Sequence, residues 1–242
     1  MTLRIAPSDL GPPLHGFRGD ESVGPFARTE SRARPKGLTV TISREAGARG
    51  GTIARKVGEF LGWQVFDQEM LDYLVQDVAG RAQLLADVPD MARAWADSHL
   101  ANLQNGGHLV GDDPQTVEMF RLILNVAARG DAVIVGRGAG FVLPPESTVH
   151  VRIVSPFEAR VSYLAQWLRL SREEAAAEVR ARDDRRAQFL ARTLRRDPND
   201  PTAYDAVVNA TRLGVEATAQ LIGWGVRTKQ QFADLADEQA GA

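Results

Sequence analysis

The sequence predicts an α/β domain: a parallel sheet with helices on both faces. Three observations carry this. Short β-branched or apolar runs alternate with helical patterns from residue 38 onward, as crossover-connected parallel strands require. Several runs, Ala132-Val133-Ile134-Val135 above all, are apolar without alternation, so both faces of the sheet need cover. A glycine-rich turn follows the first run, at the strand-to-helix position where open α/β sheets bind ligands.

Residues 1–36 read as a disordered, solvated N-terminal tail. Gly11-Pro12-Pro13, Gly24-Pro25 and Pro35 punctuate it, and no apolar face recurs. A domain over residues 37–227 follows. Leu38 to Ile42 is the first strand, and Ile53, Val57, Phe60 and Leu61 line one face of the helix after the glycine turn. Gly62 ends that helix. Trp63 to Phe66 is the second strand, and Asp67 caps the next helix. Residues 80–113 hold one or two helices, and another helix runs from about Gln115 to Arg129. Ala132–Val135 and Val149–Val154 are the third and fourth strands, with Pro156 opening a helix as its first residue. Ser171-Arg172-Glu173-Glu174 is a capping box that starts a long helix, a candidate lid over residues 171–196. Ala206–Val208 is the fifth strand; a helix from Val215 to about Trp224 closes the core, and residues 228–242 read as a polar helix or tail. Trp63, Trp95, Trp167 and Trp224 read as core or helix-packing residues.

The composition narrows the chemistry. With no cysteine, thiolate metal sites and cysteine nucleophiles are excluded. His15, His99, His108 and His150 share no metal-ligand spacing. A net charge of −2 speaks against nucleic-acid binding. No apolar run is long enough for a membrane span, and without a signal-peptide core the expected location is cytoplasmic. Lys36, Lys56 and Lys229 are the only lysines among 29 basic residues, so any phosphate recognition falls to arginine forks.

Ser43-Arg44-Glu45-Ala46-Gly47-Ala48-Arg49-Gly50-Gly51-Thr52 is the candidate phosphate site. Glycines let successive amides face one anion, and the helix that follows adds its positive end. The strict lysine-bearing motif is not met. Aligned on Thr52, the lysine position falls on Gly50, the preceding glycine on Arg49 and the first glycine on Arg44. Either Arg44 or Arg49 is then the replacement cation near the β- and γ-phosphates. The 171–196 segment carries eight arginines and five acids, and Arg182, Arg185, Arg192 and Arg196 share a helical face with Phe189. Their mutual repulsion would be relieved by an anion.

In order along the chain, Thr39 to Lys56, Trp63 to Asp67, Ile134 to Gly140, His150 to Arg160 and Asp205 to Asn209 resemble the cytidylate-kinase-like family. The likeness runs from about residue 38 to 223. It implies a P-loop three-layer αβα fold with a five-stranded parallel sheet and a helical lid. It also implies ATP with Mg2+ as donor and a nucleoside monophosphate such as CMP as acceptor. By the same resemblance Gly47, Gly50, Gly51 and Thr52 hold the donor phosphates, with the Thr52 hydroxyl near magnesium; Arg44, Ala48 and Arg49 of the same loop join them as donor-site candidates on their place in the sequence. Arg49, Arg182 and Arg185 are the catalytic cations, and Asp67, Arg137, Arg182, Asp183 and Asp184 meet the acceptor. Gly138 stands where an acid is expected beside Arg137, Arg186 where another acid is expected, and Phe189 where an arginine is expected. The competing readings are a nucleotide-binding protein without turnover and a kinase for another small substrate. Gly136-x-Gly138-x-Gly140 has the wrong spacing for a dinucleotide fingerprint.

Overall fold

The computed structural model describes residues 37–110 and 113–240, with no account of the side chains of 234–240. The expected N-terminal tail lies outside the described residues. Five parallel strands stand in the order β2-β3-β1-β4-β5. They are β1 (Thr39–Arg44), β2 (Gln64–Phe66), β3 (Ala132–Val135), β4 (Thr148–Val154) and β5 (Ala206–Asn209). The central strand pairs Thr39 with both Ala132 and Thr148, and Ile42 with both Val135 and Val151. Helices cover both faces, so the three-layer expectation holds.

On one face lie α1 (Gly50–Leu61) and α9 (Ala210–Ala240). Ile53, Ala54 and Val57 pack with Ala219, Ile222 and Val226 over Val40, Ile42, Val133 and Val151. On the other face α2 (Gln68–Gln76), α3 (Val78–Leu84), α4 (Asp90–Asn105), α5 (Pro114–Arg129) and the short α6 (Ala139–Val142) form the layer. Leu71, Trp95, Leu100, Phe120, Ile123 and Leu124 fill its core. Each fully buried side chain of this kind contributes about 1.5–3 kcal/mol. A third cluster joins α7 (Phe157–Leu168) and α8 (Arg172–Leu194) through Val161, Leu164, Ala175 and Val179, with Ala46 of the glycine turn inserted among them. This hairpin is thereby anchored to the loop after β1.

Local signals act as expected at several ends. Asp67 accepts from the Met70 amide at 3.0 Å and starts α2. Ser171 and Glu174 form the reciprocal capping box of α8. Gly62 adopts left-handed backbone and ends α1. Three expectations need correction. Pro156 precedes the first turn of α7 instead of occupying it. The closing helix does not stop near Trp224: after the kink at Gly214 (φ 78, ψ 166) it continues to Ala240, since no proline interrupts it. Trp95 is buried and Trp63 packs at the core's edge, but Trp167 and Trp224 are largely exposed. Their rings pack sideways instead, Trp167 on Tyr163 and Trp224 on Phe60 and Arg227.

Candidate functional site

Two regions at the carboxyl ends of the central strands carry positive charge. The first is the turn between β1 and α1. Gly47 (φ 78) and Arg49 (φ 61) are both left-handed, and α1 starts with no side-chain cap. The first amides of a helix have no intrahelical acceptor, so those of Gly50, Gly51 and Thr52 stand at the positive end of α1. A side chain at position 47 would meet the Arg160 carbonyl oxygen 2.6 Å from its Cβ, so glycine is required there for space as well as φ. Arg49 is exposed, and its guanidinium lies 5.2 Å from the Tyr163 ring centroid. Thr52 is half-buried in the first turn.

A packed ion cluster holds this turn from behind. Arg160 is buried. Its Nη1 donates to Asp183 Oδ2 at 2.6 Å and to Ala46 O at 3.2 Å, and its Nε donates to Ser155 O at 3.0 Å. Glu45 Oε2 lies 3.4 Å from that Nε and accepts from the Ser155 amide at 2.9 Å. Asp183 Oδ1 accepts from the Ala46 amide at 2.7 Å. The Ala46 amide therefore points to α8 and not to the mouth of the loop. Both Asp183 oxygens are thus engaged within the protein. Asp184 is exposed and does not line the cavity described next.

The second region is a cavity of about 420 Å³. Its walls are Ser43, Arg44, Gln68, Gly136, Arg137, Gly138, Arg152, Arg182, Arg185, Arg186, Phe189, Leu190 and Pro198. Six of these are arginines and none is a carboxylate. The acids stand behind the cations. Asp72 pairs with Arg137 Nη2. Glu178 accepts from Arg182 Nε at 2.6 Å and lies 3.6 Å from Arg185. Asp183 lies 3.5 Å from Arg186. Arg152 is held by Asn199 Oδ1 at 3.1 Å and by the Tyr204 hydroxyl at 3.4 Å.

Arg44 lines this cavity, with its stem against Gly50 of the loop. Its guanidinium passes under Gly136, where a Cβ would meet Nη1 at 2.0 Å, and its Nη2 donates to Gln68 Oε1 at 3.4 Å. Burial, with Arg186 and Arg137 beside it, pushes Arg44 down from the ordinary arginine range to about 9, and Asp67 partly opposes this. Burial likewise lowers Arg186. The cavity thus raises the free energy of its own cations, and a bound anion would lower it. Asp67 caps α2 and acts on Arg44 through its charge; its neighbour Gln68 is the residue on the wall. Arg137 (φ 52) is left-handed, and its Nε is buried without a partner. Backbone strain of this kind concentrates at ligand sites. Gly138 leaves no room for the expected acid: a Cβ there would sit 2.6 Å from Leu194 Cδ1, and Asp72 supplies the carboxylate from α2 instead.

Sequence reasoning placed Ser43 in the candidate phosphate loop and missed Gln68, Asp72, Arg152, Arg160, Tyr163 and His150. For Arg152 and His150 a signal was present. Thr39, Thr41 and Ser43 alternate along β1, as Thr148, His150 and Arg152 do along β4, and the strands pair these residues side by side. One face of two central strands is therefore polar, not apolar. On that face Ser43 Oγ lies 3.1 Å from His150 Nε2, and His150 Nδ1 lies 3.0 Å from Ala203 O. His150 is buried against Phe141 and Tyr204. Burial lowers it to about 4, with Arg152 adding to the shift and Asp205 opposing it.

Residues 39–212 match the family model described as the cytidylate kinase-like family. A cytidylate kinase of Ignicoccus hospitalis is 30% identical over 111 residues, covering 46% of this chain and 64% of that protein, just under two thirds of its length. A cytidylate kinase of Granulibacter bethesdensis is 28% identical over 210 residues, covering 79% of this chain and 98% of that protein. The crystal structure of an uncharacterised protein from Eubacterium ventriosum superposes with a TM-score of 0.55 at 18% identity, covering 79% of this chain and 98% of that one, a likeness of fold.

Proposed function

Because the chain belongs to the cytidylate kinase-like family, we propose that it transfers the γ-phosphoryl group of ATP to a nucleoside monophosphate, CMP or a close relative. The observation that carries this is the cavity of six arginines, acids only behind them, directly beside a glycine turn at a helix N-terminus. Phosphoryl transfer asks little covalent work of the protein and much positioning and charge neutralisation. The amides of Gly47 and of residues 49–52 are suited to the donor phosphates, the Ala48 amide being taken by Glu45 O at 3.2 Å, with Arg49 beside the loop. Arg137, Arg182 and Arg185 are suited to the acceptor phosphate, and Arg182 and Arg185 to the charge that spreads over the transferred group.

The missing lysine has a structural counterpart. A Cβ at position 50 would stand 2.7 Å from Arg44 Cβ, so the stem of Arg44 fills the space where a lysine at that position would begin. In this reading Arg44 delivers the cation from the strand, in place of a lysine on the helix. Among the described residues no group of three or more His, Asp or Glu could hold a metal. This fits magnesium carried largely by nucleotide oxygens, with the Thr52 hydroxyl as the nearby protein ligand. When bound, Mg2+ would neutralise phosphate charge.

The test is a panel of nucleoside monophosphates with labelled ATP and magnesium. Diphosphate formation with CMP or a related acceptor is expected. Folded protein that transfers to none of them overturns the reading. The lysine-free loop favours a second reading, nucleotide binding without turnover. Calorimetric binding of ATP with no product in the same panel would establish it.

A further inference from the structure

Almost every polar group on the cavity wall is a donor. The six guanidiniums can only donate, and the one amide oxygen, on Gln68, faces Arg44. Ser43 is the exception, and His150 makes it so. The Ala203 carbonyl can only accept, so His150 Nδ1 carries the ring hydrogen across their 3.0 Å contact. A ring lowered to about 4 is neutral at physiological pH, which leaves Nε2 bare. The Ser43 hydroxyl must then donate to it across 3.1 Å. Tyr204 also interacts with Ser43, but its hydroxyl hydrogen goes to Pro198 O at 2.9 Å. Ser43 Oγ is left with lone pairs alone for the cavity.

We propose that Ser43, locked in this orientation by His150, is the hydrogen-bond acceptor through which the cavity selects monophosphates carrying a donor group beside the phosphate. The donor is a sugar hydroxyl or a base amine. The assignment rests on the kinase reading and deepens it. The phosphate of a nucleoside monophosphate, ionised at neutral pH, has no hydrogen to offer Ser43, and inorganic sulfate, which carries none, would bind to the guanidiniums and ignore it. A ligand lacking the donor would leave Oγ desolvated and unmet, the situation in which polar sites reject analogues most strongly. The same geometry speaks against Ser43 as a nucleophile, because His150 next to Arg152 is a poor acceptor of its proton. His150 is a positioning residue: it sets the direction of one hydrogen.

Calorimetry on the full chain tests this with CMP, 2′,3′-dideoxy-CMP, UMP and inorganic sulfate. The dideoxy compound removes the sugar hydroxyls and UMP the exocyclic amine, so the two sources of the donor are separated. Wild-type protein is expected to prefer CMP over one of these analogues by about tenfold. Ser43→Ala should abolish that preference and leave the affinity for inorganic sulfate unchanged. His150→Gln, which keeps an acceptor near the position of Nε2, should retain it. If Ser43→Ala keeps the full preference, the assignment is overturned while the kinase reading stands. If wild-type protein binds every monophosphate no better than inorganic sulfate, the kinase reading falls and takes the Ser43 assignment with it.

Discussion

The two anion-facing regions are made of opposite materials. The turn after β1 presents backbone amides from one short stretch, those of Gly50, Gly51 and Thr52 at the uncapped start of α1. The cavity beside it presents side chains drawn from β1, the turn after β3, β4 and α8. An amide ring depends on chain path and tolerates changes of side chain. A guanidinium cavity depends on residue identity at every position. The contrast explains how the loop can carry Gly50 in the lysine position: Arg44, already committed to the cavity, occupies the adjacent space. The difference is sharpest at Arg44, so the largest effect is expected there. Arg44→Ala should lower kcat/KM by about 10²–10³, as removal of one preorganised stabilising group does elsewhere. Arg44→Lys should recover part of the loss, because charge returns without the planar fork. Gly50→Lys alone should impair the protein by collision with the Arg44 stem. Arg44→Gly combined with Gly50→Lys should outperform Arg44→Gly in steady-state kinetics. A double variant no better than the single one breaks the claim that the two positions share one space.

The polar stripe that links the regions should show next in an acid titration. His150 lies near 4 in the fold against 6.5 for an ordinary histidine. The unfolded chain therefore binds a proton in the interval where the folded protein does not. Stability from this group is fully present above about pH 6.5 and is lost as pH falls toward about 4, on the order of 3 kcal/mol in total. Denaturant unfolding at pH 7 and at pH 4.5 measures it. His150→Gln should flatten that part of the pH dependence, and an equally steep loss in the variant would remove His150 as its cause.

Asp183 separates support of the loop from service in the cavity. Asp183→Asn keeps the size but weakens the bonds to the Ala46 amide and Arg160. A loss of about 2 kcal/mol is expected, the usual scale for charged hydrogen bonds of this kind. In kinetics, KM for ATP should rise more than KM for the monophosphate, because the loop is what Asp183 holds. The opposite ordering would return Asp183 to the acceptor site.

What the sequence disclosed follows the same division. Gly47 to Thr52 stood out because an amide ring needs consecutive residues, and its glycines are visible in one line. Arg137 was legible for a similar reason, as part of a turn directly after an apolar strand. Its partner Asp72 was not, because α2 brings it from 65 positions earlier. Along α8, spacing grouped Arg192 and Arg196 with Arg182 and Arg185, whereas the cavity takes Arg182, Arg185 and Arg186. Spacing defines stripes on a helix but not which edge of a stripe meets the sheet. The helix also ends at Leu194, and left-handed Arg195 turns Arg196 away from that face. Arg152 required reading β4 as half-polar, a pattern that the apolar Val149, Val151 and Ile153 obscured.

The smallest effect concerns Arg49, the one position where backbone path and side-chain identity compete. Its φ of 61 is left-handed, a conformation that costs a non-glycine residue about 1–2 kcal/mol. Its guanidinium over Tyr163 returns about 0.5–1 kcal/mol at an exposed site. If the loop acts only through amides, Arg49→Gly should raise thermal stability and leave KM for ATP unchanged. If the side chain also serves the donor phosphates, Arg49→Gly should still stabilise, but KM for ATP should rise severalfold. Arg49→Ala should show the same KM change without the gain in stability, since alanine keeps the left-handed penalty. The second pattern is expected, because strain persists where a side chain has work to do. An unchanged KM in both variants would make the loop an amide site alone and leave Arg44 as the sole candidate for the missing cation.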